Sequence, residues 1–194
     1  MPLSLTIEER VARARADLRI GAPIALTGAA GGALVLAAET LTDARLAALR
    51  DLMPETLDLA ISHHRAETLR ARAYDGALAR VIVGPEATSD WIRATVDPSR
   101  DLDTPLKGPY ATRREGPAAL HALGILLAKQ ARLLPGALVA IWPDPERVRE
   151  IAAAADFTVL PELMVHRAGA AVAALDPVSA ARVPTRFADT GPAL

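Results

Sequence analysis

Hydrophobic positions alternate between two rhythms along this chain: helix-like spacings of three and four residues, and short unbroken apolar runs. Thr6 followed by Glu9 has the spacing of a capping box, in which each side chain satisfies the other residue's free backbone N–H. Val11, Ala14 and Leu18 then recur on one helical face, and Gly21-Ala22-Pro23 closes the element. The runs at 24–26 and 33–37 read as buried strands joined by the small-residue segment 28–32. Thr42 caps a helix through about residue 52, with Leu46 and Leu49 on its buried face. Strands are predicted at 57–61 and 78–83, and helices at 62–71 and 88–96. No periodicity survives from 97 to 116. A loop of that length inside a compact domain is unusual, and is either functional or disordered. A long helix follows at 117–133, stopped by Pro135-Gly136, then a strand at 137–141. Asp144-Pro145 opens a helix to about 155 as cap and first-turn proline, a short strand fills 157–159, and a last helix is expected at 161–174. Strands alternating with helices predict an α/β (α+β) domain: one mixed β-sheet covered by helices.

Composition narrows the classes. The chain has 194 residues, 51% of them hydrophobic but only 3% aromatic, so Ala, Leu, Val and Ile must fill the core by close packing. With no cysteine, a disulfide scaffold and a thiolate-ligated metal are excluded. Charged residues interrupt every long apolar run, and residues 1–9 lack the order of a signal peptide, so a cytoplasmic protein with no membrane partner is expected. A net charge of -1 gives no electrostatic case for a nucleic-acid partner.

Candidate chemistry is sparse. Residues 28–32 follow a strand, as a phosphate loop would, but no Lys-Ser/Thr pair or Gly-x-Gly spacing accompanies them, and a plain hairpin turn is the simpler reading. His63 and His64 are adjacent, which on a helix separates them by about 100° and prevents joint chelation of one ion. His121 and His166 have no carboxylate partner nearby in sequence, and Ser62, Thr88 and Ser89 lie in no nucleophile elbow. The segment 101–115 carries Asp101, Asp103, Lys107, Tyr110, Arg113, Arg114 and Glu115. It reads either as a charged lid whose paired arginines grip an anion or as a solvated mobile loop.

Several segments, in order, resemble one family. Ala16-Asp17-Leu18-Arg19-Ile20-Gly21-Ala22-Pro23-Ile24 resembles the start of 3,4-dihydroxy-2-butanone 4-phosphate synthase, and Leu34-Val35-Leu36-Ala37-Ala38-Glu39 resembles its Leu-Val-Phe-Ala-Ala-Glu strand end. Leu127-Ala128-Lys129, running through Arg132 to Val139, is similar to its long helix and following strand. Glu162-Leu163-Met164-Val165-His166-Arg167 resembles its last helix, and Arg182-Val183-Pro184-Thr185-Arg186-Phe187 the passage into GTP cyclohydrolase II in fused proteins. The resemblance implies a homodimer that converts ribulose 5-phosphate, with Mg²⁺ or Mn²⁺, into the four-carbon precursor of riboflavin and formate. It divides the chain into a synthase-like domain at 1–180 and a tail at 181–194.

The family's chemical residues do not carry over. Its acidic loop, Asp-Asp-x-x-Arg-Glu-x-Glu, falls on Thr27-Gly28-Ala29-Ala30-Gly31-Gly32-Ala33, which has no carboxylate. Its Gly-His-Thr-Glu-Ala motif falls on Gly116-Pro117-Ala118-Ala119-Leu120, with His121 close to the histidine position but not on it. The Glu of the following strand falls near Ile141, and the Thr-Cys-Ser/Thr-Thr-Gly substrate segment has no counterpart. A hard cation bridged to an enediol needs carboxylate oxygen, and deprotonation beside a carbonyl needs a positioned base. The expectation is a domain that keeps the fold, has lost the activity, and dimerises, positions or regulates a cyclohydrolase domain, covalently joined or not. No catalytic or metal-binding residue is expected, no cofactor is required, and Mg²⁺ enters only if synthase activity survives. Arg113, Arg114 and His121 are the anion- or substrate-binding candidates. Two rivals remain: an active enzyme using His121, His63 or His64 with Asp101 or Asp103, and a module that senses a phosphate ligand through Arg113 and Arg114. Without cysteine, the zinc-dependent cyclohydrolase half is expected to lie outside these residues.

Overall fold

The computed structural model describes residues 4–166. The sequence-predicted tail at 181–194, the end of the last helix and the 180/181 boundary lie outside the described residues. Helix α1 (Ile7–Arg19) opens with the expected capping box: the Thr6 N–H donates to Glu9 at 2.7 Å and the Glu9 N–H to Thr6 Oγ1 at 3.2 Å. Strands β1 (Ile24–Gly28) and β2 (Gly31–Ala37) form a hairpin in which Gly28 pairs with Gly31, so Ala29-Ala30 is a two-residue turn. That geometry answers the question left open for residues 28–32. The following elements are α2 (Asp43–Asp51), β3 (Thr56–Ser62), α3 (His63–Thr68), β4 (Leu78–Ile82), α4 (Ser89–Val96) and α5 (Ala119–Gln130). Then come β5 (Gly136–Trp142), α6 (Pro145–Ala154) and β6 (Thr158–Pro161), and residues 162–166 start a further helix. Thr42, Ser62, Thr88 and Asp144 each accept a backbone N–H from the first turn of the helix they cap.

The six strands lie in the order β4-β3-β5-β2-β1-β6, antiparallel except for the parallel β1–β6 pair. Both faces are covered. Leu34, Leu36, Leu59, Ile61 and Leu138 pack with residues of α2, α4 and α6 in one core cluster, while Val35, Ala60, Val139 and Leu26 pack with residues of α1 and α5 in another. A strand buried on both sides has no reason to alternate, which is why β2 reads as an unbroken apolar run. Small residues set the layer spacing. A methyl group on Gly124 of α5 would meet Ala137 Cβ at 3.2 Å and Val35 Cγ1 at 3.3 Å, so that helix rides close on the sheet.

The long aperiodic segment is tied down along its length. Pro98–Arg100 is a 3-10 turn, and Thr112 bridges to Val81, adding a short stretch beside edge strand β4. Arg65 is the main anchor. Its guanidinium donates to both oxygens of Asp101 at 2.6 Å, and to the carbonyls of Thr95, Ala94 and Asp97 at the end of α4. Lys107 also donates to Asp101 and to the Ala94 carbonyl. These bonds tie the segment to α3 and to the end of α4, which local periodicity does not reveal because Asp101 lies 36 residues from Arg65.

Candidate functional site

A cleft of about 340 Å³ opens between the β1–β2 turn at Ala30, the start of β3, segment 113–117, the first turn of α5 and the end of β5. Two side chains that interrupt otherwise apolar elements line it, Arg80 of β4 and His121 of α5, and a third, Asp58 of β3, is bonded to His121 and to Arg113 of the lining. Asp58, Arg80 and His121 are each at most 1% exposed. An ion in such surroundings must be paired, and each of these is. Arg113 makes a bidentate pair with Asp58, at 2.6 and 2.9 Å, and His121 Nε2 lies 3.3 Å from the same carboxylate. Arg80 pairs with Asp75 at 2.7 and 3.0 Å and donates to the Glu115 carbonyl at 3.0 Å.

Burial pushes the Asp58 carboxyl upward, but the hydrogen bonds from His121 and Arg113 outweigh it and hold the group below its ordinary value. An ionised Asp58 only accepts, so His121 carries its proton on Nε2. His121 Nδ1 is buried and has no partner among the described residues. The donors for a hard cation do not converge: Glu55 and Glu115 are exposed, Asp58 is committed to Arg113 and His121, and the turn offers only alanine side chains. Among the described residues no group of three His, Asp or Glu side chains is placed to hold a metal ion.

Arg113 and His121 therefore meet, but Arg114 does not join them. Neighbours in an extended segment point to opposite sides, and Arg114 lies over the Tyr74 ring, 5.7 Å from its centroid. The histidines are less isolated than their sequence neighbourhoods suggest. His121 finds Asp58, 63 positions away, and His166 finds Glu162 one turn earlier at 3.8 Å. His63 and His64 share Glu67, at 3.2 and 3.5 Å, on the surface. Asp101 serves Arg65 and Lys107, away from the cleft lining. Asp58, Arg65, Asp75 and Arg80 escaped the sequence reading. The available signal was a lone charge inside a buried apolar run, at Asp58 in Thr56–Ser62 and at Arg80 in Leu78–Ile82.

A mixed sheet with helices on both faces and a cleft at the tip of its first hairpin defines an α/β protein. The particular fold is that of 3,4-dihydroxy-2-butanone 4-phosphate synthase. A cation-free structure of that enzyme matches with a TM-score of 0.65 at 12% identity over 84% of this chain and 98% of that one. The enzyme of Candida albicans matches at 0.61 and 13% identity, over 81% of this chain and 95% of that one. RibBX, a two-domain synthase from A. baumannii, matches at 0.57 and 16%, over 80% of this chain and 56% of that one. At these identities the likeness is one of fold. No protein-family model matches the sequence. No curated protein matches it either. Among the described residues, no helix is long and apolar enough to cross a membrane.

Proposed function

We propose that this chain is a synthase-fold domain of riboflavin biosynthesis that does not carry out the synthase reaction, and that it dimerises, positions or regulates a GTP cyclohydrolase II domain. The observation that carries this reading is the state of the charges in the cleft. Arg113 and Arg80 are each neutralised by a bidentate carboxylate, and His121 is turned onto Asp58. A phosphate entering here must break an internal ion pair before it gains a new one. The synthase chemistry of the resembled family also needs oxygen ligands for a divalent cation and a positioned base. Among the described residues, those around the cleft do not supply that donor set. Mutual satisfaction of buried charges is what a network holding a fold requires.

Formate release from ribulose 5-phosphate with Mg²⁺ tests the reading. No turnover above an enzyme-free blank is expected, and robust turnover overturns it in favour of an active synthase. Sedimentation velocity tests the dimer, with a species of twice the chain mass expected. A second reading, a phosphate-sensing module, draws on two features: the buried unpartnered His121 Nδ1, and helix α5, which begins at the cleft without a side-chain cap. A melting temperature raised by ribulose 5-phosphate, GTP or a flavin, and no longer raised in Arg113→Ala, favours it.

A further inference from the structure

On the other side of segment 108–112 lies a groove whose charges are not mutually satisfied. Two adjoining hollows of about 390 and 520 Å³ share Leu69, Arg70, Gly108 and Tyr110. The larger adds Arg72 and Tyr74, and Arg114 stacks over that tyrosine. Arg70 and Arg72 are exposed, and neither they nor Arg114 has an ion-pair partner among the described residues. The one carboxylate on the groove wall is Asp101, and it faces two cations, Arg65 and Lys107, at once. The carbonyls ending α4 take up part of that excess positive charge, as a helix C-terminus does. The lining thus carries Arg70, Arg72 and Lys107 against a single carboxylate and presents two tyrosines, with Arg114 lying over the ring of one of them.

We propose that this groove binds a phosphate-bearing small molecule with at least two negative charges, gripped by Arg70, Arg72 and Arg114. Guanidinium forks match phosphate oxygens in bidentate geometry. Each hollow has the volume of a small-molecule site. Three arginines, on a chain of net charge -1, suit a compact anion and not a nucleic-acid backbone. The site is distinct from the Asp58–Arg113–His121 cleft, so it stands whether or not the synthase reading does.

Trp91 is a built-in reporter: its indole N–H donates to the Lys107 carbonyl at 3.0 Å, and its ring lies 5.8 Å from that of Tyr110. In a full-length Trp142→Phe background, the Trp91 emission is titrated with inorganic pyrophosphate, ADP and adenosine. Pyrophosphate and ADP are expected to give a saturable change that weakens as salt rises, and adenosine none. Arg70→Glu/Arg72→Glu should weaken binding at least ~10-fold, consistent with loss of charge-assisted hydrogen bonds. Arg70→Gln/Arg72→Gln repeats the measurement without charge reversal should the first pair perturb folding. No saturable response to either anion overturns the proposal. So does a response that survives both double variants, or one lost only in Arg113→Gln, which would locate the anion in the cleft.

Discussion

Arg113 donates through both Nε and Nη2 to the two oxygens of Asp58, joining residues 55 positions apart across the edge of the sheet. Asp58 is fully buried, while the Arg113 side chain is 28% exposed, so the two ends of the pair differ in what they lose when it is broken. Asp58→Ala leaves one cation and His121 without their acceptor and should cost about 3 kcal/mol in urea unfolding. Asp58→Leu/Arg113→Met should recover part of that loss, because removing both charges strands neither.

Acid should destabilise the protein through its paired carboxylates, Asp101 and the buried Asp58 foremost. Hydrogen bonds from Arg65 hold Asp101 far below the usual carboxylate range, against the opposing effect of burial, with Lys107 adding to the lowering. Asp58 is also lowered from 3.8. A lowered folded value means the stabilisation is fully present above the unfolded value and is lost as pH falls below it. Melting temperature should therefore be flat from pH 6 to about 4.5 and fall below that, near the ordinary carboxylate range. Asp101→Asn should have a lower melting temperature at pH 6 and a shallower acid slope.

Removing the Arg65 anchor should loosen one region selectively. In Arg65→Ala, amide exchange is expected to speed up across residues 98–110, which depend on Asp101 and the end of α4, while the central strands stay protected. Uniform loss of protection would mean that Arg65 holds the whole domain together.

The first hairpin should be intolerant of even a methyl group. Gly31 has φ +113°, and a Cβ there would run into the Trp142 carbonyl oxygen. Gly31→Ala should cost roughly 2 kcal/mol or more by thermal or urea unfolding, from backbone strain and overpacking. Gly84→Ala meets open space and should change stability by less than about 0.5 kcal/mol.

Met53, just past the Leu52 cap of α2, has φ 50°, a conformation that glycine adopts freely, and the residue is 83% exposed. Met53→Gly should raise stability by up to about 1 kcal/mol.

What the sequence revealed and what it hid divide by range. Thr6, Thr42 and Asp144 act on the backbone two or three residues ahead, so their caps could be read directly. The strands were visible because sheet burial on both faces leaves unbroken apolar runs. Arg65, Arg80 and Asp58 take their meaning from distant partners. Arg65 resembles any other of the chain's many arginines until Asp101 is brought to it, 36 residues on. Arg113 and His121 were found as candidates, but Asp58, the group that makes them a unit, was not. The segment 97–116 was recognised as exceptional; its anchors lie in α3 and the end of α4, where no local pattern points to them.

Strand β5 lies between β3 and β2, although it follows both in the chain. Until residues 136–142 have been synthesised, the emerging polypeptide can form only two separate ribbons, β1 with β2 and β3 with β4, each with an open inner edge. Joining them is a late, long-range event of the kind that slows folding. A ribosome stalled before residue 136 should therefore display a chain prone to sticking to its neighbours, and release of the whole chain, with β5 inserted and α6 and β6 in place, should end that tendency.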